Sequence, residues 1–130
     1  MQHIEEALKL KNWAVVGATP NKQKYGYLVF KKLVESGYNV FPVNPFYEVL
    51  DGYKVYRNIN EISDKIDCIS MIVAPEKGEK YILEAASKNV KYIWFQPGAE
   101  NAKLVDMCKE LDIVPIYNAC ILVALNSLKK

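Results

Sequence analysis

Residues 12–26 read NWAVVGATPNKQKYG, a short apolar run that leads through a lysine-bearing loop into a helical pattern. The apolar run ends at Gly17, and an amphipathic helical pattern begins at Gly26. Such a loop exposes backbone N–H groups, and the N-terminus of the following helix adds partial positive charge. The stretch therefore predicts a strand, a loop and a helix that together bind the phosphates of a nucleotide-type ligand.

The rest of the chain alternates between strand and helix patterns. The apolar runs predict strands over 12–16, 39–43, 67–73, 92–95 and 113–116, and the amphipathic segments predict helices over 2–10, 26–36, 76–88 and 100–111. Nearly continuous apolar strands with helical crossovers are typical of a parallel sheet covered on both faces. The prediction is one α/β domain over residues 1–130, Rossmann-like and doubly wound, with a mainly parallel five-stranded sheet and helices on both faces.

The composition is that of an ordinary globular domain, with 130 residues and 51% hydrophobic content. The net charge of +2 is too small to indicate a nucleic-acid or membrane surface. No apolar run approaches the roughly 20 residues of a membrane span, and the N-terminus lacks a signal-peptide pattern. The three cysteines, Cys68, Cys108 and Cys120, lie too far apart for a zinc motif or a disulfide framework. We expect a cytoplasmic monomer or homodimer that binds a small-molecule nucleotide ligand, not nucleic acid or membrane.

In doubly wound sheets, ligands bind at the carboxyl ends of the strands, where the strand order reverses. That rule selects the loops 17–26, 44–47, 74–78 and 96–100 as the candidate site.

The first two of these loops lack the features of an NAD site. The G-x-G-x-x-G pattern is absent, and Asn44 stands at the end of the second strand in place of a carboxylate for the ribose. A P-loop pattern is also missing, which argues against ATP hydrolysis. Lys22 and Lys24 suit a ligand with more phosphate charge, and coenzyme A (CoA) fits that description. An NAD(P)-binding enzyme or redox sensor on the same fold remains the alternative. The missing carboxylate argues against NAD as the ligand, and NADP remains possible.

Five motifs resemble those of the stand-alone CoA-binding domain family, whose small Rossmann-like fold also forms the nucleotide domain of the succinyl-CoA synthetase α subunit. They are VVGAT with KYG (15–19, 24–26), VNPFYE with GYKVY (43–48, 52–56), VAP (73–75), WFQPGA (94–99) and NACI (118–121). The resemblance extends from about Leu10 to Val123. It implies that CoA lies across the carboxyl edge of the sheet.

The predicted site residues all lie on these loops. The resemblance implies that the phosphates are held by Ala18, Thr19, Lys24, Tyr25 and Gly26, that the adenosine is flanked by Asn44 and Pro45, and that the pantetheine path is lined by Val73, Ala74 and Pro75. Three more residues join the set by their positions on the same edge: Gly17, Lys22 and Gln96.

No catalytic set accompanies these residues. The single histidine, His3, lies outside every matching motif, so the synthetase's phosphorylated histidine has no counterpart. No Ser–His pair, carboxylate dyad or metal cluster is predicted at the loops. We therefore expect a protein that holds CoA or an acyl-CoA non-covalently, without chemistry of its own. A regulatory or interaction subunit without ligand is a third possibility, and a mixed disulfide between Cys120 and CoA is a further hypothesis.

Overall fold

The computed structural model describes residues 2–128 and contains a parallel five-stranded sheet with helices on both faces. The strands are β1 (Asn12–Val16), β2 (Asn39–Val43), β3 (Val49–Leu50), β4 (Tyr53–Lys54), β5 (Cys68–Met71), β6 (Tyr92–Phe95) and β7 (Val114–Ile116). The helices are α1 (Gln2–Leu8), α2 (Tyr25–Glu35), α3 (Pro75–Ser87), α4 (Ala102–Glu110) and α5 (Ile121–Leu128), with a 3-10 turn at Ile59–Glu61. The predicted fold class is confirmed.

The main sheet has the strand order β2-β1-β5-β6-β7, with every neighbouring pair parallel. Side chains of β1 alternate between its faces, as in any strand. Trp13 and Val15 pack under α1, α2 and α5, whereas Ala14 and Val16 pack under α3 and α4. Two apolar cores, one on each face, therefore hold the sheet. No helix within residues 2–128 is both long enough and apolar enough to cross a bilayer.

Both edge strands of the main sheet contain a proline whose nitrogen points away from the sheet. The carbonyl of Val43 points toward β1, where it accepts a hydrogen bond from the amide of Gly17 at 3.0 Å. Backbone groups of successive strand residues point to opposite sides, so the nitrogen of Pro42 points away from β1. Pro115 faces outward because the N–H of Val114 donates inward, to the carbonyl of Lys91. A proline has no N–H, so each edge lacks one donor that a further strand would need.

A small hairpin, β3 and β4, lies beyond β2. Its turn places both Asp51 and Gly52 at positive φ, as a tight hairpin turn requires. The Asp51 carboxylate accepts a hydrogen bond from the Tyr27 hydroxyl at 2.7 Å, and the rings of Phe30 and Tyr53 meet edge to face at 5.1 Å. Contacts with α2 therefore fix this hairpin beside the carboxyl end of β2.

Candidate functional site

A crevice of about 240 Å³ lies where the strand order reverses, between the carboxyl ends of β2, β1 and β5. Its lining comes from three loops and from α3: Gly17, Val43, Asn44, Pro45, Phe46, Ile72, Val73, Lys77 and Tyr81. A cleft of about 460 Å³ continues from it along α3, past Phe46 and Lys80. Three of the four predicted loops therefore meet, and the loop after β6 lies one strand farther along the edge.

Close backbone packing explains why glycines, Gly17 and Gly26, stand at the two ends of the first loop. Gly17 has a φ of +101°, which glycine adopts without strain. A Cβ atom on Gly26 would lie 2.1 Å from the carbonyl oxygen of Gly17 and 3.3 Å from the Cα of Ala18. The loop therefore rests directly on the first turn of α2.

Local hydrogen bonds order the middle of this loop. The Thr19 hydroxyl accepts from the amide of Asn21 at 3.2 Å, and the Asn21 side chain accepts from the amide of Gln23 at 3.1 Å. The amide of Lys24 then donates to the carbonyl of Asn21 at 3.0 Å. The Lys22 and Lys24 side chains are exposed on this ordered turn.

The helices at this edge differ in how their N-termini are capped. Asn101 caps α4 through the amide of Leu104, and Gln96 accepts from the amide of Ile121 at the start of α5. The capping positions of α2 and α3, Lys24 and Ala74, make no side-chain cap hydrogen bond. Uncapped N–H groups and the helix dipole favour a bound anion. Of these two helices, α3 lines the crevice through Lys77 and Tyr81, and α2 packs through Gly26 against Gly17, which also lines it.

Three exposed lysines stand near these helix ends. Lys22 and Lys24 belong to the first loop, and Lys77 lies in the first turn of α3 and lines the crevice. Within residues 2–128, none of the three forms an ion pair. The first turn of α2 contains no acidic residue, whereas that of α3 contains Glu76. Positive charge is therefore available to an anion, most clearly on the α2 side.

Asn44 joins two loops of the crevice. Its Nδ2 donates to the carbonyl of Ala18 at 2.9 Å, and its Oδ1 accepts from the amide of Phe46 at 2.9 Å. Its own amide donates to the carbonyl of Tyr56 at 2.8 Å. These bonds position the first and second loops relative to each other, and a direct contact of Asn44 with a ligand stays a prediction.

Gln96 lies beneath the edge rather than on its surface, with an exposed fraction of 1%. Its Nε2 donates to Ser70 Oγ at 3.1 Å, and its Oε1 accepts from the Tyr25 hydroxyl and from the amide of Ile121, both at 3.2 Å. It thereby joins β6, β5, α2 and α5. A direct ligand contact by Gln96 also stays a prediction.

Tyr25, the first residue of α2, links this helix to Cys120, which directly precedes α5. Its hydroxyl lies 2.7 Å from Sγ of Cys120, in addition to its bond with Gln96. Burial raises the pKa of the Tyr25 hydroxyl well above its usual range, and the hydrogen bond with Cys120 raises it further. Tyr25 is therefore a neutral hydrogen-bonding group at physiological pH.

The structure brings some predicted residues into the crevice and leaves others beside it. Those that line it are Gly17, Asn44, Pro45 and Val73. Ala18 and Gly26 are buried next to it, and Ala74 and Pro75 begin α3. Two further lining residues, Phe46 and Lys77, lie in the predicted loops 44–47 and 74–78, although neither was assigned to the ligand set. Tyr81, one turn beyond Lys77 on α3, lay outside the predicted loops and carried no signal in the sequence.

The single histidine and two of the cysteines add no reactive group to this edge of the sheet. His3 lies on α1, 3.5 Å from the Glu6 carboxylate. Burial raises the pKa of the Cys68 thiol and raises that of Cys108 to about 12, which keeps both protonated. The described part of the chain contains no group of three or more metal-ligating side chains. The arrangement offers helix N-termini without side-chain caps and exposed lysines beside a crevice.

Comparisons with known proteins identify the family and relatives that this chain resembles. A family profile described as a CoA-binding domain matches residues 11–126. The uncharacterized protein YneT of Bacillus subtilis is 30% identical over 122 residues, which cover 93% of this chain and 90% of YneT. The α subunit of ADP-forming acetate–CoA ligase II from Pyrococcus furiosus is 41% identical over 80 residues. That match covers 60% of this chain and 17% of the ligase subunit, so the chain corresponds to a small part of it.

Solved structures show the same fold over nearly the whole chain. A hypothetical protein from Pyrococcus horikoshii OT3 is 32% identical, with a TM-score of 0.94, and the match covers 99% of this chain and 92% of the other. A conserved hypothetical protein from Pyrococcus furiosus is 35% identical, with a TM-score of 0.83, and the match covers 88% of this chain and 99% of the other.

Proposed function

Because this chain belongs to the CoA-binding domain family, we propose that it binds CoA or an acyl-CoA non-covalently at the carboxyl edge of its sheet. The observation that carries the proposal is the pair of helix N-termini without side-chain caps beside the crevice: α3 lines it through Lys77, and α2 packs through Gly26 on Gly17, which also lines it. A pyrophosphate there would satisfy free N–H groups and lie close to Lys24 and Lys77.

The sheet order suggests how an extended ligand would lie. The adenosine would sit over the end of β2, beside Asn44 and Pro45, and the phosphates would sit over the loop that follows β1. The pantetheine would then cross β5 at Val73 and Ala74 and run toward β6. Neighbouring strands are about 4.8 Å apart, so the distance from β2 to β7 is roughly 19 Å.

We propose a binding role and assign no reaction to this edge. The residues here position loops, present N–H groups and supply positive charge. The acetate–CoA ligases are much longer proteins, and their reaction is not transferred to this chain. The proposal includes a cytoplasmic location, which the free cysteines Cys68, Cys108 and Cys120 support because reducing compartments keep thiols free.

A thermal unfolding panel with CoA, dephospho-CoA, acetyl-CoA, NAD, NADP and ATP tests the proposal. A ligand at 100 times its dissociation constant should stabilise the fold by about 2.7 kcal/mol. We expect stabilisation by CoA and acetyl-CoA, and less by dephospho-CoA, which lacks the 3′-phosphate. Stabilisation by NADP without an effect of CoA would favour the NADP-binding alternative and contradict the proposal.

A further inference from the structure

An apolar groove of about 770 Å³ lies between α1 and α5, apart from the crevice. Its apolar lining comes from Ile4 and Leu8 of α1 and from Ala119, Val123 and Ala124 at and within α5. Glu5, Lys9 and Ser127 also line it. Its volume falls in the range of small-molecule pockets, about 300–1,000 Å³.

The groove exposes apolar surface that a compact domain would otherwise bury. Val123, on the side of α5 that lines the groove, is 65% exposed. Contiguous exposed apolar surface usually marks a binding site. The groove is concave, and a concave apolar channel fits a narrow chain better than the broad surfaces of a protein interface, which bury about 800 Å² per partner.

One residue belongs to both the groove and the carboxyl edge. Cys120 lines the groove, and its Sγ lies 2.7 Å from the hydroxyl of Tyr25, the first residue of α2. Gln96 also joins α2 to α5 there, because its Oε1 accepts hydrogen bonds from the Tyr25 hydroxyl and from the amide of Ile121. Cys120 therefore places one end of the groove beside the carboxyl edge of the sheet, near the loop that follows β6.

We propose that this groove binds the acyl chain of an acyl-CoA, which makes a medium- or long-chain acyl thioester the preferred ligand. The inference rests on the proposed function, because the orientation given there brings the sulfur end of CoA toward β6 and β7. An attached chain would pass Cys120 and run along α5. Ser127 lies seven residues farther along that helix, about 10 Å at 1.5 Å per residue, and marks the far end of the groove.

Isothermal titration of the full chain with CoA, acetyl-CoA, octanoyl-CoA and dodecanoyl-CoA, below their micelle concentrations, tests the inference. Each methylene that becomes fully buried is worth up to about fourfold in affinity, equivalent to ~0.8 kcal/mol. We expect octanoyl-CoA to bind at least about tenfold more tightly than acetyl-CoA, because only part of the chain's surface is covered in an open groove.

Two groove variants and one control locate the effect. Val123→Asp should remove the preference for octanoyl-CoA and leave CoA affinity unchanged. Val49→Asp makes the same substitution at a similarly exposed valine, 60%, on the hairpin, and should leave the preference for octanoyl-CoA over acetyl-CoA unchanged. Ser127→Trp should shorten the groove and weaken dodecanoyl-CoA more than octanoyl-CoA. Circular dichroism melts confirm that each variant is folded.

The outcomes separate this inference from the proposed function. Equal affinity for CoA, acetyl-CoA and octanoyl-CoA would overturn the groove proposal and leave CoA binding intact. Failure of all four ligands to bind would overturn both proposals. A dimer that Val123→Asp dissociates, combined with equal affinity for the acetyl and octanoyl thioesters, would assign the groove to a second copy of the chain and would also overturn the inference.

Discussion

Replacing Gly26 by alanine would place a methyl group 2.1 Å from the carbonyl oxygen of Gly17. Ordinary contacts of such a carbon begin at 3.4 Å, so the loop and the helix would have to separate by more than an ångström. The obstructing atoms are backbone atoms of Gly17 and Ala18, which cannot rotate away. Gly17 is also held to β2 by its bond to the carbonyl of Val43 at 3.0 Å.

The expected magnitude is the difference between two opposing effects. Alanine favours a helix over glycine by about 0.5–1 kcal/mol. Overpacking typically costs about 1–3 kcal/mol, and sometimes more where the neighbours are rigid. We therefore expect Gly26→Ala to lower the free energy of unfolding by about 2 kcal/mol and to weaken CoA binding, because the first loop moves.

Gly78→Ala is the matched control, since Gly78 also lies in the first turns of a helix. The nearest atom to its added methyl group is Leu104 Cδ1 at 3.0 Å, the end of a flexible side chain. The helix preference of alanine should offset that contact, so stability should change by less than about 1 kcal/mol. Equilibrium urea unfolding, followed by circular dichroism, measures both variants. Equal stability of the two would refute the reasoning from close backbone packing.

Three further predictions follow from the same geometry. Lys24→Glu should weaken CoA binding at least about tenfold by calorimetry, whereas Lys31→Glu, an exposed charge reversal farther along α2, should have little effect; similar losses in both would indicate a general charge effect. Asn44→Ala should cost about 1–2 kcal/mol in urea unfolding, because it removes the side-chain bonds to Ala18 and to the next turn; unchanged stability would contradict that positioning role. Because burial raises the folded-state pKa of the Tyr25 hydroxyl, the folded protein holds this proton more tightly than the unfolded chain does. The free energy of unfolding should therefore fall as pH rises above the ordinary tyrosine pKa of 10.0. Tyr25→Phe should reduce that fall, and an identical pH profile in the variant would contradict this role of Tyr25.

The main sheet could be predicted from the sequence because its signals are local. The apolar runs and the amphipathic periods give the strands and helices within a few residues, and Gly17 marks the end of β1. The third long strand shows the size of the error at its ends, one residue and two residues. The apolar pattern predicts residues 67–73, but pairing covers Cys68–Met71, because the chain then turns toward α3. Hydrophobicity alone does not reveal where pairing stops.

The features that the sequence did not reveal depend on distant contacts. The first strand of the hairpin, Val49–Leu50, is too short for a periodic signal, and contacts from α2 to Asp51 and Tyr53 hold it in place. The polar position of Gln96 at the end of an apolar strand predicted a ligand residue. In the structure its partners come from three other segments, which no spacing in the sequence records. Likewise, Tyr81 joins the crevice because α3 packs against the ends of the strands, and no local pattern marks it.

A crystal structure of the full chain grown with excess CoA addresses the binding site itself. We predict the pyrophosphate at the N-termini of α2 and α3, within contact of Lys24, with the pantetheine crossing β5 toward Cys120. CoA bound elsewhere, or a crevice that stays empty in those crystals, would contradict the account.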